Sequence, residues 1–459
     1  MADFPFVGYS SPVGNLAASP QRTINFYPEM SNNNKEEVIL LGTPGYSLWS
    51  DVGNGPVRAG IKFKDNLIVV SHKGVWKVNP GGAPKLIGNI NTQRGRVSMA
   101  ESGAECIIVD GQDGWIYNGS SLTKITDTTF VDTKADSVIA TDGYFIVNKK
   151  DDRSFWVSGS YDGFTWSGLD TAAAEYMTDN ILQIGIVNLP FFLGSESTEY
   201  WYNDGTTFPP YSPLRNSRMP YGIAAPQSLV IANNSATWLS QETTGGVKVL
   251  RATGPSPKFL STPAWEAEWS DYPDISDAFA YGINWQGHDW YVLTFPKADH
   301  GKGRTFIHDS GGWFEWGNYE SVIGDYVKHP MTFHIWFAGK HIIGDADGDL
   351  HHLQSGVYTN NGTAIISERR CGVIHEDRKR HAYRVFEVDT GKGVGGDILM
   401  NHSDDGGRSW NNWRIRSLGA KGKLKNRARI FKLGSAYDKA FAIRISDEVP
   451  RTILSANVR

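Results

Sequence analysis

Residues 60–78, Gly-Ile-Lys-Phe-Lys-Asp-Asn-Leu-Ile-Val-Val-Ser-His-Lys-Gly-Val-Trp-Lys-Val, decide the fold. Their apolar runs are short and are separated by Asp, Asn and Gly, the residues that tight turns between strands require. Together with Lys85-Leu-Ile87 they predict four β-strands in one unit. A second unit of the same kind follows at 96–125. Four strands that recur every roughly 40 residues indicate a β-propeller, because one blade cannot bury both of its faces alone.

Similar units continue outward from this stretch through the middle of the chain. The predicted blades are 57–90, 94–127, 136–175, 179–217, 221–262, 277–318 and 319–356. The count is seven, or six if the irregular stretch 156–176 is an insertion. We expect one short helix, at 263–276, and almost no helical periodicity elsewhere. The sequence therefore predicts an all-β protein with a propeller at 56–356.

The two ends of the chain have a different texture. Residues 1–55 form a turn-rich N-terminal arm in which 38–41 and 45–49 are predicted to pair with each other. The arm either closes the last blade, which is short of a strand, or packs on a neighbouring subunit. Residues 357–459 alternate apolar residues with Lys and Arg. This alternation predicts a C-terminal antiparallel β-sandwich with a basic outer face.

Length and composition narrow the class of protein. A chain of 459 residues is too long for one ordinary core, and its 50 Gly, 16 Trp, 19 Tyr and 21 Phe suit tight turns between packed sheets. Its two cysteines, Cys106 and Cys371, lie in predicted strands of different domains, so we expect no disulfide framework and folding in a reducing cytoplasm. No secretory signal and no membrane-spanning run is visible, so we expect a soluble protein.

Charge is distributed unevenly along the chain. The net charge is −4, but residues 363–459 carry 20 Lys and Arg against 11 Asp and Glu, a net charge of +9. Residues 1–362 carry 25 against 38, a net charge of −13. An acidic body joined to a basic end domain indicates polar assembly, or an anionic partner for one end.

The sharpest local motif lies in the predicted sandwich. Ser403-Asp-Asp-Gly-Gly-Arg-Ser-Trp410 matches the Asp-box, Ser-x-Asp-x-Gly-x-Ser/Thr-Trp, and 160–166 is a shorter relative of it. An Asp-box carboxylate accepts backbone N–H groups across a hairpin while the Trp covers the turn. We therefore predict a structural hairpin. Its defining residues are Ser403, Asp405, Gly407, Ser409 and Trp410.

Patterns that indicate catalysis or metal binding are weak. Asp345-Ala-Asp-Gly-Asp349 resembles the start of a calcium loop, but Gly356 stands where a bidentate Glu is required, so we predict a turn. His351 and His352 are adjacent in a predicted strand and point to opposite faces. The sequence has no phosphate loop, nucleophile elbow or zinc-protease motif. We predict no catalytic, cofactor-binding or metal-binding residue, no cofactor and no enzyme activity.

One basic segment is a candidate binding surface. Five cations occur within nine residues, at Lys421, Lys423, Lys425, Arg427 and Arg429. Such a field suits phosphates, but no aromatic residue is interleaved with these cations. Contact with DNA would therefore involve only the charged backbone. The alternatives are a solvated loop or a contact with an acidic neighbouring subunit, and the sequence leaves all three open.

Several motifs, in order along nearly the whole chain, resemble one protein family. They are Arg22-Thr-Ile-Asn-Phe-Tyr-Pro28, Thr43-Pro-Gly-Tyr46, Gly55-Pro-Val-Arg-Ala-Gly60, Gly95-Arg-Val-Ser-Met-Ala100, Phe386-Glu-Val388, the Ser403–Trp410 hairpin, the basic strand 427–432 and Phe441-Ala-Ile-Arg-Ile445. They are similar to the tail hub of short-tailed phages, also called the nozzle, tail accessory or packaged-DNA stabilisation protein, of which the Salmonella-type podophages have the best-known examples.

The resemblance implies a structural virion protein made in the bacterial cytoplasm and located in the virion tail. In that family six copies form a ring below the portal and its adaptor ring and extend the DNA channel. The hub carries the tail fibres or spikes and the distal plug or needle, and it takes part in DNA ejection. The expected partners are therefore other copies of the chain, the portal–adaptor ring, these tail proteins and packaged double-stranded DNA, with no membrane insertion.

A second hypothesis is a carbohydrate-binding or sialidase-like propeller. The Asp-box favours it, and so do Trp285, Trp290, Trp313 and Trp316 if their rings are exposed. A sialidase also requires three convergent arginines, a Tyr–Glu pair and an acidic catalyst, and the repeat region does not supply this set. Alternating aromatics such as those at 313–316 pack blades more often than they bind sugars.

Overall fold

The computed structural model describes residues 2–3, 6–12, 20–30, 38–174, 179–205, 209–242, 245–374, 379–424 and 427–459. The described chain is almost entirely β-structure. Five strands precede the repeats: β1 (Ala2–Asp3), β2 (Arg22–Ile24), β3 (Phe26–Met30), β4 (Val38–Gly42) and β5 (Gly45–Asp51).

The repeats form antiparallel four-stranded blades. Blade 1 contains β6 (Val57–Phe63), β7 (Asn66–Ser71), β8 (Gly74–Val78) and β9 (Pro84–Asn89). Blade 2 contains β10 (Ser98–Glu101), β11 (Cys106–Val109), β12 (Gly114–Tyr117) and β13 (Leu122–Lys124), and helix α1 (Thr128–Thr133) follows. Blade 3 contains β14 (Val138–Thr141), β15 (Tyr144–Asn148), β16 (Ser154–Gly159) and β17 (Asp162–Ala173). Blade 4 contains β18 (Gln183–Val187), β19 (Leu189–Leu193), β20 (Thr198–Asn203) and β21 (Tyr211–Pro213).

Three more blades complete the repeat region. A 3₁₀ turn (Pro226–Ser228) leads into blade 5, which contains β22 (Val230–Ala232), β23 (Ser235–Gln241), β24 (Val247–Ala252) and β25 (Lys258–Phe259), and helix α2 (Pro263–Ser270) follows. Blade 6 contains β26 (Phe279–Trp285), β27 (His288–Phe295), β28 (Arg304–Asp309) and β29 (Gly312–Glu315), with a 3₁₀ turn at Asp299–Gly301. After the hairpin β30 (Gly317–Glu320) and β31 (Asp325–Lys328), blade 7 contains β32 (Phe333–Phe337), β33 (Lys340–Gly344), β34 (Asp349–Gln354) and β5.

The first strands of successive blades lie next to each other in a closed ring. The order is β6, β10, β14, β18, β22, β26 and β32, and β32 lies against β6 again. Apolar residues pack between neighbouring blades, as where Ile107 and Val109 of blade 2 meet Val138 and Val147 of blade 3. The predicted propeller is therefore confirmed. The number of blades is seven, because the stretch that left six open forms β16 and β17 of blade 3.

Most of the remaining strands form a sandwich. They are β35 (Thr359–Asn360), β36 (Thr363–Ala364), β37 (Ser367–Arg370), β38 (His381–Ala382), β39 (Val385–Thr390), β40 (Asp397–Ser403), β41 (Arg414–Ser417), β42 (Ala428–Phe431), β43 (Ser435–Ala436), β44 (Ala440–Ile445) and β45 (Thr452–Val458). The exceptions are β35 and β36, which extend the sheet of blade 7 because β35 pairs in parallel with β5, and β38 and β43, which pair only with each other. One layer has the strand order β2-β37-β44-β40-β41 and the other β3-β4-β45-β39-β42. The predicted antiparallel sandwich is confirmed, and it also contains four strands of the N-terminal arm, β1 to β4, of which β1 pairs with β45.

The arm joins the core of the sandwich. Phe6, Phe26 and Leu40 are buried in the same apolar cluster as Phe386 and Ile443, which lie on opposite layers. The arm's last strand, β5, instead pairs antiparallel with β34 and completes blade 7. The described part of the arm thus packs on its own chain.

The predicted pairing between 38–41 and 45–49 is wrong. β4 pairs with β3 and β45, whereas β5 pairs with β34. The chain crosses from the sandwich to the propeller between them, at Thr43 and Pro44. The crossing is held on the sandwich side, because Gly42 N–H donates to Arg451 O over 2.7 Å and the Arg451 guanidinium donates to Thr43 O over 2.7 Å. No helix among the described residues is long and apolar enough to cross a membrane.

Candidate functional site

The joint between propeller and sandwich is built around β2. This strand pairs in parallel with β29 of blade 6 and antiparallel with β37 of the sandwich. One continuous nine-stranded sheet therefore runs from blade 6 through β2 into the sandwich. A shared sheet restricts the two parts more than a linker would, because bending the joint would break its ladder of backbone hydrogen bonds.

A buried charge cluster reinforces this joint. The Glu315 carboxylate at the end of β29 is 5% exposed and accepts hydrogen bonds from Arg22 Nε at 3.0 Å and Nη2 at 2.7 Å. Arg304 Nη2 donates to it as well, over 2.7 Å. Burial alone would raise the pKa of Glu315, but the two guanidinium groups lower it to about 2. The carboxylate is thus ionised and fixes the N-terminal arm to blade 6.

A second buried arginine holds the arm to the sandwich. Arg369 of β37 is fully buried and donates to Phe6 O at 2.6 Å, Tyr9 O at 3.1 Å, Thr23 Oγ1 at 2.8 Å and Gln21 Oε1 at 2.8 Å. These acceptors are neutral, and burial lowers the pKa of Arg369 to about 10. Its guanidinium organises the irregular start of the chain, whose carbonyl groups need donors.

Asn25 explains part of the motif at 22–28. Its φ of 55° lies in the left-handed region, which Asn tolerates better than most residues. Its side chain donates to Gly317 O at 2.8 Å and Ile366 O at 2.7 Å and accepts from Gly317 N–H at 3.0 Å. Asn25 therefore connects the arm to both the propeller and the start of the sandwich.

Two further motif arginines connect neighbouring blades. Arg58 of β6 donates to the carbonyl oxygens of His72, Thr92, Arg94 and Gly95, at 2.9–3.0 Å. Arg96 donates to Leu182 O at 2.9 Å and lies 3.6 Å from Asp136. Each guanidinium satisfies carbonyl groups of the loops between blades, so these motifs stabilise the ring of blades.

The predicted basic residues are divided between paired and free groups. Arg427 and Arg429 share the Glu387 carboxylate, at 2.8 Å and 2.6 Å. Lys421 and Lys423 are exposed and form no ion pair with any described residue. Lys425 lies outside the described residues. The local positive charge is therefore smaller than the sequence indicates. What remains comes from Lys421 and Lys423, which no described residue neutralises.

These residues lie along one open edge of the sandwich. β41 and β42 are the last strands of their layers and lie side by side. Arg414 donates to Phe431 O and Arg416 to Arg429 O, both at 2.7 Å, so the guanidinium groups cover outward carbonyl groups of β42. Ile415 and Phe431 are 61% and 52% exposed on the same two strands. We call Lys421, Lys423, Arg427, Arg429, Ile415 and Phe431 the basic edge.

The Asp-box forms the turn after β40. Asp405 Oδ1 accepts from Ser403 Oγ at 2.7 Å and from Ser409 N–H at 2.9 Å, and Gly407 N–H donates to Ser403 Oγ at 2.8 Å. Hydrogen bonds from Ser409 lower the pKa of Asp405. The Trp410 ring faces the Arg370 guanidinium at 5.7 Å. These acceptor atoms, Asp405 Oδ1 and Ser403 Oγ, both hold the turn. The arrangement is that of a structural hairpin.

The acidic turn at 345–349 is also held internally. Asp345 Oδ1 accepts the N–H groups of Asp347, Gly348 and Asp349 at 2.9–3.0 Å, and Oδ2 lies 2.9 Å from His351 Nε2. Asp345, Asp349 and His351 are close enough together to contact one ion. The hydrogen bonds of Asp345 nevertheless account for its position as the cap of the hairpin between β33 and β34.

The tryptophans that favoured sugar binding are buried. Trp285, Trp290, Trp313 and Trp316 are 1–4% exposed and pack between blades 5, 6 and 7. The hypothesis that these four tryptophans are exposed and bind sugars is therefore wrong. Alternation along a propeller strand places aromatics on both faces of a blade, and both faces are covered by neighbouring blades.

The fold and the joint define a structural scaffold, a closed propeller fused rigidly to a sandwich. Residues 19–358 match the phage-stabilisation family described as bacteriophage P22 Gp10, beta-propeller, and the chain belongs to this family. It is therefore a phage structural protein. The motifs around Arg22, Arg58 and Arg96 lie inside the matched region.

Several solved structures are similar to this chain at low sequence identity. They include the WD40 β-propeller domain of Doa1, with 12% identity, 68% of this chain and 97% of that chain covered, and a TM-score of 0.39. The WD40 domain of Neurospora crassa Pan2 has 9% identity, 68% and 95% coverage and a TM-score of 0.44. An exo-β-1,3-galactanase from Phanerochaete chrysosporium has 9% identity, 80% and 97% coverage and a TM-score of 0.29. Likenesses this distant carry no argument about function. No curated protein sequence matches the chain significantly.

Proposed function

We propose that this protein is the tail hub, or nozzle, of a short-tailed phage of the Salmonella-type podophage group. In this proposal six copies form a ring below the portal and its adaptor, extend the DNA channel and keep packaged DNA inside the head. The ring also carries the fibres or spikes and the distal plug or needle. The match of residues 19–358 to the P22 Gp10 family is the observation that carries the proposal.

The construction of the chain supports a mechanical role. A hub must transmit load between partners without deforming, and here one sheet joins blade 6 to the sandwich while Glu315 and Arg369 fix the arm to both. The Asp-box and the acidic turn at 345–349 use their polar groups to hold hairpins. We therefore propose a non-enzymatic protein whose function depends on contacts rather than on a catalytic site.

Particles assembled without this chain provide the test. We expect phage heads that lack it to package DNA and then lose it, and we expect the purified chain, added back, to restore DNA retention. The measurement is nuclease-resistant DNA per particle, with and without the added chain. Particles that retain their full DNA complement without the chain would contradict the proposal.

A further inference from the structure

The basic edge has a chemically matched surface elsewhere on the chain. The turns that join the first two and the last two strands of each blade all lie on one end of the propeller. On blades 2 and 3 these turns and the strand residues beside them include Glu101, Glu105, Asp142 and Asp162, which we call the acidic rim. Glu105 Oε2 accepts from Gly163 N–H at 2.9 Å, so the rim is continuous between the two blades.

Two side chains of blade 4 contact Asp142, so blade 4 lies next to the acidic rim. Asn203 Nδ2 lies 3.3 Å and Tyr211 Oη 2.9 Å from Asp142 Oδ2. The described turn residues of blades 2 to 4 at this end of the propeller include no Lys or Arg; they are 102–105, 118–121, 142–143, 160–161, 188, 204–205 and 209–210. Lys64 of blade 1 reaches the border of this face, where it donates to Asn118 O at 3.3 Å.

The acidic rim is not neutralised by any residue in the described part of its own chain. Glu101, Glu105, Asp142 and Asp162 accept backbone or hydroxyl hydrogen bonds, and none forms an ion pair with a described residue. Exposed aromatic rings stand among them, since Tyr161 is 73% and Phe164 37% exposed. Carboxylates around an apolar centre match the basic edge, which presents cations around Ile415 and Phe431.

The two surfaces cannot meet within one molecule. The sandwich is attached to blades 6 and 7 through β2 and β5. Blade 1 on one side and blade 5 on the other separate these blades from blades 2 to 4. Complementary patches on opposite sides of a rigid body favour a head-to-tail contact between copies, and repeated head-to-tail contacts close into a ring when the rotation allows it.

We propose that the basic edge of one copy binds the acidic rim and Tyr161 of the next copy, and that this contact joins the subunits of the hub ring. The inference rests on the proposed function and makes it specific, because it assigns the basic edge to a neighbouring subunit and not to DNA. Cations in the contact are Lys421 and Lys423, together with the outer faces of Arg427 and Arg429. The ion pairs with Glu387 hold these arginines in place for it.

Charge reversal and charge exchange test this contact. One variant carries Lys421→Glu and Lys423→Glu, a second carries Glu101→Lys and Glu105→Lys, and a third carries all four substitutions. The control carries Lys73→Glu and Lys85→Glu, which reverse two exposed lysines of blade 1. Circular dichroism and the melting temperature establish that each variant is folded. Mass photometry then measures assembly of the full chain, alone and with the portal–adaptor complex.

We expect each double variant to lower the fraction of assembled chain by at least tenfold while the control assembles like the unchanged protein. The third variant, which carries all four substitutions, should recover most of the assembly, because the exchanged charges attract again. Full assembly of both double variants would overturn the proposed contact. Normal rings of the Lys421→Glu, Lys423→Glu variant with loss of DNA retention would also overturn it and assign the basic edge to DNA. If the unchanged chain forms no ring with the portal–adaptor complex, the hub proposal itself fails.

Discussion

At the scale of single residues, buried charges determine how the parts of this molecule are joined. Glu315 and Arg369 are buried, Arg22 and Arg304 are half-buried, and together they connect the N-terminal arm to blade 6 and to the sandwich. None was predicted as a functional residue from the sequence, although Arg22 belongs to a family motif. The available signal was a charge inside an apolar stretch, as at Glu315, which stands between Phe314 and Trp316. A sequence shows such a charge but does not show which distant residue neutralises it.

Replacing Glu315 by Gln should destabilise the protein strongly. The substitution leaves two half-buried guanidinium groups without their carboxylate. Breaking a fully buried pair costs about 3–5 kcal/mol, which is the upper value here because the side chains of Arg22 and Arg304 are 22% and 21% exposed. The urea midpoint of unfolding measures the effect, with the exposed Glu320→Gln as the matched control. A loss no larger than that of the control would show that the cluster does not hold the joint.

The lowered pKa of Glu315 predicts that the free energy of unfolding decreases at acidic pH. The pKa of Glu315 is about 2 in the folded protein and 4.5 as its ordinary value. Its contribution to stability is therefore present above about pH 4.5 and is lost as the pH falls toward 2. Urea midpoints between pH 6 and pH 2.5 should fall less steeply for Glu315→Gln than for the unchanged protein. Parallel curves would contradict the assignment.

His329 predicts a loss of stability that begins at a higher pH. Its ring is fully buried against Trp316 at 3.9 Å, neither nitrogen has a hydrogen-bond partner among the described residues, and burial lowers its pKa to about 3. The unfolded chain binds a proton below about pH 6.5 while the folded chain does not, so stability is lost as the pH falls from 6.5 toward 3, by up to about 1.4 kcal/mol per pH unit. His329→Phe should flatten this slope, and His381→Phe, at a partly exposed position, should not. An unchanged slope in His329→Phe would refute the prediction.

At the scale of secondary-structure elements, local pattern predicted the strands but not their partners. Blades 1 to 6 follow the predicted ranges because a blade pairs strands that are close in sequence and separated by turn residues. The last predicted range, 319–356, begins too early, since β30 and β31 form a separate hairpin before blade 7. The expected helix at 263–276 is α2, Pro263–Ser270. The sequence did not indicate that β2 and β4 join strands more than 300 residues away, because alternation identifies a buried face and not the strand that covers it.

Arg369→Met should release the arm from the sandwich. The substitution removes the guanidinium that donates to Phe6 O and Tyr9 O, and losing a hydrogen bond to a charged group costs about 1.5–3 kcal/mol. Hydrogen–deuterium exchange should then accelerate at 6–12 and 20–24, while exchange in blades 2 to 4 stays unchanged. Protection of the arm equal to that of the unchanged protein would show that other contacts suffice.

At the scale of the whole molecule, the chain is interlocked rather than arranged as three successive domains. The arm completes the sandwich core through Phe26 and Leu40 and closes blade 7 through β5. Fragment 1–356 should therefore expose apolar arm residues and aggregate, whereas fragment 44–356 keeps all four strands of blade 7 and should remain monodisperse. Size-exclusion chromatography with a dye that binds apolar surface compares them. Equal behaviour of the two fragments would contradict this account of the arm.

The function could be inferred from the sequence only through the family resemblance, since a propeller alone fits many functions. The structure adds the joint, the basic edge and the acidic rim, which arise from contacts between distant segments. Cryo-electron microscopy of the intact virion tests the central claim most directly. We predict six seven-bladed propellers in a ring directly below the portal–adaptor complex, with the sandwich of each copy against blades 2 to 4 of the next. A virion whose tail ring lacks this fold, or holds it only as an isolated peripheral subunit, would contradict the account.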